Sequence, residues 1–249
     1  MTTNNIKGYI VSLDPAKLHD YSALSVLKVS REPGNSYNQY HLIALERQRR
    51  QPYELTSAWF VKAFKNPILR SSDCTFEPIP LIDIGGVGEP TADIIKRMGV
   101  QVRGVRYTGG DGFKIDGRNV NVSKALMVSN FLGISEGGRF TMPSRASFEG
   151  LFKSELRDFR GELGKLGRIR FEAEEGSHDD LVMSVCQAVW FGEQFIKPKR
   201  VSRAPSQAVA YSNPLLEAAN SSLSPISKPD EEMQPWHLRG TYQIYDIRR

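Results

Sequence analysis

The sequence predicts an α/β protein whose mixed sheet combines three antiparallel strands with parallel strands and is flanked by helices. Three observations carry this reading. Lys7 to Arg47 holds three strand-like runs joined by short turns, the pattern of an antiparallel meander. Ile79 to Tyr107 reads strand, helix, strand, which is a parallel crossover unit. Asp179 to Phe195 is apolar on every side of a helical wheel after its opening acids, and such a helix is buried.

Taken in order, Lys7 to Leu13 alternates and stops at Asp14-Pro15, because proline has no N–H to continue strand pairing. Asp14 therefore stands at the end of the first strand. Lys17 to Asp20 is a tight connection, Tyr21 to Ser30 a second strand, and Pro33 to Asn35 a turn into a third, about Gln39 to Arg47. Pro52 to Phe64 is an amphipathic helix, with Leu55, Trp59, Phe60 and Ala63 at helical spacing and proline near its first turn. Ile79 to Ile84 is a short apolar strand interrupted by Asp83. Gly85-Gly86-Val87-Gly88 leads into a helix that opens at Glu89-Pro90, runs to Met98 and stops at Gly99, and Val100 to Tyr107 is the next strand.

Thr108 to Arg118, rich in glycine and charge, reads as a polar loop. Ser123 caps a helix from Lys124 to Leu132. Arg139 to Met142 reads as a short strand, Ser147 to Phe159 as an amphipathic helix and Arg168 to Glu172 as an edge strand. The helix from Asp179 closes a domain spanning 1–196. Lys197 to Glu232 is rich in Pro, Ser, Ala and Asn and has no lasting period. Residues 197–249 are therefore expected to form a linker or disordered tail, with Trp236, Tyr242 and Tyr245 in a C-terminal docking motif.

Composition narrows the function classes. Apolar content of 40% and charge of 24% over 249 residues are those of a globular domain rather than a disordered or membrane-spanning chain. No apolar run approaches the roughly 20 residues of a membrane span, and Met1 to Lys7 has no apolar core of a secretory signal. Cys74 and Cys186 offer no disulfide framework, so a reducing cytoplasm is the expected compartment. A net charge of +5 suits a polyanionic partner. No phosphate-binding GxxxxGK[ST] loop occurs, which argues against an ATP motor.

The chemistry rests on acids placed at element ends. Asp14 ends the first strand, Asp83 interrupts the fourth, and Asp179 and Asp180 open the buried helix. If the first and fourth strands are parallel neighbours, their C-terminal ends coincide, where open α/β sheets place ligands. Carboxylates meeting there cannot all ionise without a counter-charge, and hard divalent cations supply one through oxygen ligands. Two such ions can activate a water and stabilise the leaving oxygen in phosphodiester cleavage. Each acid also has a plainer reading: Asp14 as a turn residue, and Asp179 and Asp180 as helix caps. Asp83 resists one, since a charge between Ile82 and Ile84 needs a partner or an ion. His178 is placed to orient the acids or a water. Arg106, Lys114, Arg118 and Lys124 are candidates to track a phosphate backbone. Gly85 to Gly88 fits a turn that brings backbone close to the acids better than it fits a phosphate loop.

In series these motifs resemble the nuclease domain of phage terminase large subunits. Ser12-Leu13-Asp14-Pro15 with Asp20-Tyr21-Ser22-Ala23 is similar to the opening of that domain. Leu81-Ile82-Asp83-Ile84-Gly85-Gly86-Val87-Gly88 is similar to its second acid segment, and Val105-Arg106-Tyr107-Thr108-Gly109-Gly110 to the strand after the following helix. Ser177-His178-Asp179-Asp180-Leu181-Val182-Met183 resembles the third, usually His-Asp-Asp-Leu. The resemblance covers Lys7 to Phe195. It implies an RNase H-like fold and a divalent-metal endonuclease that cuts concatemeric viral double-stranded DNA during genome packaging, in the cytoplasm of an infected bacterial host. It further implies that Asp14, Asp83 and Asp180 bind two Mg²⁺ or Mn²⁺ ions with Asp179 in support. Asp180 is preferred over Asp179 because resolvases of that fold place an acid directly before the apolar helix. Implied partners are DNA, an ATPase motor, a small terminase subunit and a portal, with no membrane.

One departure matters. The family's large subunit carries its motor before the nuclease, whereas this sequence starts at the nuclease. Either the motor is a separate polypeptide or the domain is excised. The turn after Asp14 is also poorer in glycine than is usual. The other readings are a junction resolvase or transposase-type nuclease with the same acids, an actin-like kinase, and a non-catalytic docking module. The chain is short for the duplicated kinase fold.

Overall fold

Alternating burial along one strand sets the layers. The computed structural model describes residues 6–16, 20–110, 112–143, 147–163, 169–173 and 178–196. Its first strand, β1 (Ile6–Asp14), buries consecutive residues completely: Ile10 belongs to the apolar cluster on one sheet face, while Val11 belongs to the cluster on the other. A strand buried on both sides has to lie inside a sheet covered by helices on both faces.

The chain continues through β2 (Tyr21–Arg31), β3 (Gln39–Arg49) and helix α1 (Tyr53–Phe64). Next come β4 (Ile79–Asp83), α2 (Gly88–Arg97) and β5 (Arg103–Thr108). Strands β6 (Phe113–Asp116) and β7 (Asn119–Ser123) precede α3 (Lys124–Glu136), β8 (Phe140–Thr141) and α4 (Glu149–Asp158). A two-stranded ribbon, β9 (Phe159–Leu163) and β10 (Ile169–Ala173), leads to α5 (Asp180–Phe195).

The main sheet has the order β6-β7-β5-β4-β1-β2-β3-β8. The meander β1-β2-β3 is antiparallel, and β1-β4, β4-β5, β5-β7 and β3-β8 are parallel. Both expected sheet features are therefore present in one mixed sheet. Helices α1 and α2 cover one face through Phe60 and Ile95. Helices α3, α4 and α5 cover the other through Phe131, Phe152 and the continuous buried run Leu181 to Gly192. Buried polar groups pin α5 against the sheet: Ser25 Oγ donates to the Ser184 carbonyl at 3.1 Å, and Tyr40 donates to Glu193 at 2.7 Å. Among the described residues no helix is long and apolar enough to cross a membrane.

Two element readings need correction. The stretch expected to be a polar loop contains β6, which pairs antiparallel with β7 around Gly117 at φ +58°. Its apolar residues Phe113 and Ile115 are exposed, so the usual link between apolar alternation and burial is missing. The segment near Ile169 is not an edge of the main sheet; it pairs with β9, which takes over the end of the expected fourth helix. The expected tail, 197–249, lies outside the described residues.

Candidate active site

The parallel register of β1 and β4 brings the first two acids together. Leu13 faces Ile82, so one further step along each strand puts Asp14 and Asp83 at the C-terminal ends of neighbouring strands, and neighbouring strands in a sheet lie about 4.8 Å apart. Both side chains point towards α5: Asp14 alternates with Ser12, and Asp83 with Leu81. Helix α5 starts at this end of the sheet, which adds Asp179 and Asp180.

The acids act on one another electrostatically. Burial, then Asp83, Asp180 and Asp179 in turn, push the Asp14 carboxyl well above the usual range, while Lys124 opposes them. Burial raises Asp180 to about 8, reinforced by Asp20, Asp179 and Glu155 and opposed by Arg47. Burial also raises Asp83, to about 6, against the Gly85 N–H, Arg106 and Lys124. Asp180 Oδ2 is buried and, among the described residues, has no hydrogen-bond partner. Ionising an oxygen in that state is expensive unless a cation reaches it.

The family model described as Terminase RNaseH-like domain matches residues 11–190. The chain belongs to that family. Among solved structures, the large terminase nuclease from thermophilic phage G20c with bound magnesium is 22% identical. The match covers 76% of this chain and 85% of that one, with a TM-score of 0.52. The same phage nuclease with bound cobalt is 21% identical over 76% and 85%, with a TM-score of 0.51. These likenesses show a shared RNase H-like fold. No curated protein matches the chain.

In this terminase domain the four candidate cations divide. Lys124, the first residue of α3, reaches Asp179 Oδ2 at 2.7 Å and acts electrostatically on Asp14 and Asp83. Its placement follows from Ser123, whose Oγ accepts the Leu126 N–H at 3.3 Å and starts the helix there. Arg106 lies near enough to Asp83 to lower its pKa but is ion-paired with Glu89. Lys114 and Arg118 are exposed, on β6 and in the turn after it. The structure thus brings one of the four to the acids, holds one beside them and places two on the edge hairpin.

Asp179 stands at the N-cap position, yet its side chain caps nothing. The Leu181 N–H goes instead to Glu155 Oε2 of α4 at 3.0 Å, and Arg47 holds Glu155 Oε1 at 2.7 Å. Burial raises Glu155 to about 7 despite these partners. His178 Nδ1 lies 3.1 Å from Asp20 and 3.8 Å from Asp180, with its ring edge-on to Tyr21. Asp20, His178 and Asp180 each present a ligand atom within 4.8 Å of the others.

Sequence reasoning missed Asp20 and Glu155 as members of the site. Asp20 was legible only as part of the Asp-Tyr-Ser-Ala segment; Glu155 gave no local signal. Also missed was the buried chain below the acids, in which Tyr107 Oη donates to Gln187 at 3.0 Å and Gln187 donates to Ser12 at 2.8 Å. That chain ties β5, α5 and β1 together under the site. The glycine turn is structural, as expected: a Cβ on Gly88 would stand 1.8 Å from the Asp83 carbonyl oxygen.

Proposed function

We propose that this domain is a divalent-metal-dependent endodeoxyribonuclease that cuts concatemeric viral double-stranded DNA during genome packaging. What supports the proposal is that Asp14, Asp83, Asp179 and Asp180 stand at neighbouring element ends and act together on the Asp14 carboxyl, beside a buried Asp180 oxygen that has no hydrogen-bond partner among the described residues. An all-oxygen acid cluster of this kind suits a hard cation such as Mg²⁺ or Mn²⁺. Asp14, Asp83 and Asp180 would hold the ions, with Asp179 in support. The G20c nuclease, of the same fold, carries magnesium in one structure and cobalt in another.

Bound divalent ions supply Lewis acidity that activates water and stabilises the departing oxygen of a phosphodiester. The chain's own residues set the stage for this. Lys124 offsets the field that four carboxylates would turn against a DNA phosphate. Arg106, Lys114 and Arg118 supply further positive charge towards the β5–β7 side for the DNA backbone. His178 orients Asp180 from the side of Asp20. The Tyr107–Gln187–Ser12 chain ties β1 and α5, which carry Asp14, Asp179 and Asp180, to β5.

The setting we propose is the cytoplasm of an infected bacterium, with an ATPase motor, a small terminase subunit and a portal as partners. The domain spans 1–196, and the remaining residues act in docking. Plasmid cleavage in EDTA, Mg²⁺ and Mn²⁺, beside the Asp83→Asn variant, tests the enzyme reading. Metal-dependent cutting that is lost in the variant is expected; cutting retained by the variant would overturn the site assignment. A preference for branched over linear DNA would favour a resolvase instead, and no cutting with either metal would favour a docking module.

A further inference from the structure

Helix α5 starts under an unusual division of labour. In a capped helix the N-cap side chain accepts the N–H of the second or third helical residue. Here the N-cap is Asp179, so those donors are Leu181 and Val182. An aspartate is among the best residues for this task, yet the Asp179 carboxylate turns to Lys124 at 2.7 Å. The Leu181 N–H is taken by Glu155, a residue of another helix, at 3.0 Å. Both oxygens of Glu155 are engaged, one by that amide and one by Arg47 at 2.7 Å. Arg47 in turn stacks over Tyr21 at 4.1 Å, and Tyr21 meets His178 edge-on.

We infer that Glu155 is a positioning residue for the acid site: it caps α5 from α4 and so releases Asp179 from capping to face Asp14, Asp180 and Lys124. The inference rests on the proposed metal site only for its consequence; the exchange of caps involves the chain's own groups alone. Without Glu155 the Leu181 N–H would lose its acceptor, and Asp179, at the N-cap position, is the residue whose carboxylate ordinarily takes that bond. A single rotation about its side chain would satisfy the helix and withdraw an acid from the site. Reach matters more than charge in this role. Glutamine at 155 can still accept the amide, whereas aspartate is one methylene too short.

The test combines a metal-free cycle with a metal titration. Asp179→Ala is made in the unaltered chain and in Glu155→Ala, and melting temperatures are compared in EDTA. With Glu155 present, Asp179→Ala should leave the melting temperature unchanged or raise it, because it removes one of four crowded acids. With Glu155 replaced it should lower the melting temperature, because Asp179 has become the cap. The same sign in both backgrounds would overturn the inference.

Mn²⁺ affinity, followed by electron paramagnetic resonance well below the melting range, gives the second reading. Glu155→Gln should keep it within about threefold, and Glu155→Asp should lose about tenfold; the reverse order would refute the role assigned to reach. If Glu155→Ala does not fold, the Asp and Gln variants carry both measurements. Failure of the unaltered chain to bind Mn²⁺ would sink the metal site, and the melting cycle would still decide the exchange of caps.

Discussion

Replacing Asp83 by Asn should make the protein more stable in EDTA at neutral pH while removing the metal response proposed above. The structure gives the size. The Asp83 carboxyl is raised from 3.8 to about 6 by burial, net of help from the Gly85 N–H, Arg106 and Lys124. At 1.36 kcal/mol per pKa unit, this corresponds to roughly 3 kcal/mol against the folded state above pH 7. Partial exposure of the side chain to water brings the expectation to about 1–3 kcal/mol. Asparagine keeps the oxygen that accepts the Gly85 N–H at 2.7 Å, so the turn itself is spared. The sign follows from linkage. A carboxyl whose folded pKa is raised binds its proton more tightly in the folded chain, so stability falls as pH rises from about 4 through 6. The variant lacks this share of the loss. The gap should be absent at pH 4 and complete by pH 7, where it amounts to roughly 3–10 °C for a domain of this size. Thermal melts in EDTA between pH 4 and 8 measure it, and Mg²⁺ or Mn²⁺ should then raise the melting point of the unaltered protein alone. A variant less stable than its parent by the same amount at pH 4 and pH 8 would refute the crowded-charge account of the site.

Lys124→Met should act in the opposite direction without metal, lowering stability at pH 8 by on the order of 1–2 kcal/mol as Asp179, Asp14 and Asp83 lose their cation. The loss should shrink towards pH 4 as Asp14 and Asp83 take up protons; a gap independent of pH would contradict this. Gly88→Ala forces a Cβ against the Asp83 carbonyl, and urea unfolding should show a loss of about 3 kcal/mol. Unchanged stability would mean that the turn after β4 is not as described. Truncation after Lys197 should leave cutting of short linear DNA intact, and loss of cutting in that assay would refute the docking role given to the tail.

Much of the fold was legible because it is written in local patterns. Pro15 stops β1 at Asp14, Ser123 starts α3, and a helix apolar all round had to be central. These are statements about neighbours in sequence, and they were enough to place Asp14, Asp83, Asp179 and Asp180 at element ends. What stayed hidden depends on other parts of the chain. Strand β6 keeps its apolar residues in solvent, so alternation there did not report burial. Asp20 matters because β2 runs antiparallel beside β1, bringing its first residues back to the end where Asp14 stands.

The start of α5 shows how a correct local rule can be overruled by tertiary context. Aspartate before a helix predicts a cap, and the amides of α5 are indeed capped, but by a different carboxylate. Two acceptors compete for the same donors, and burial decides between them. Glu155 is 4% exposed, and an anion so placed must be fully paired, so losing the amide would leave a buried oxygen unsatisfied. The Asp179 side chain is 26% exposed and already has Lys124 and water, so giving up the cap costs it little. The acid that could afford to be uncommitted is the one facing Asp14 and Asp180. Because α4 supplies the cap, the Asp179 carboxylate is turned to Lys124 rather than to the backbone of its own helix.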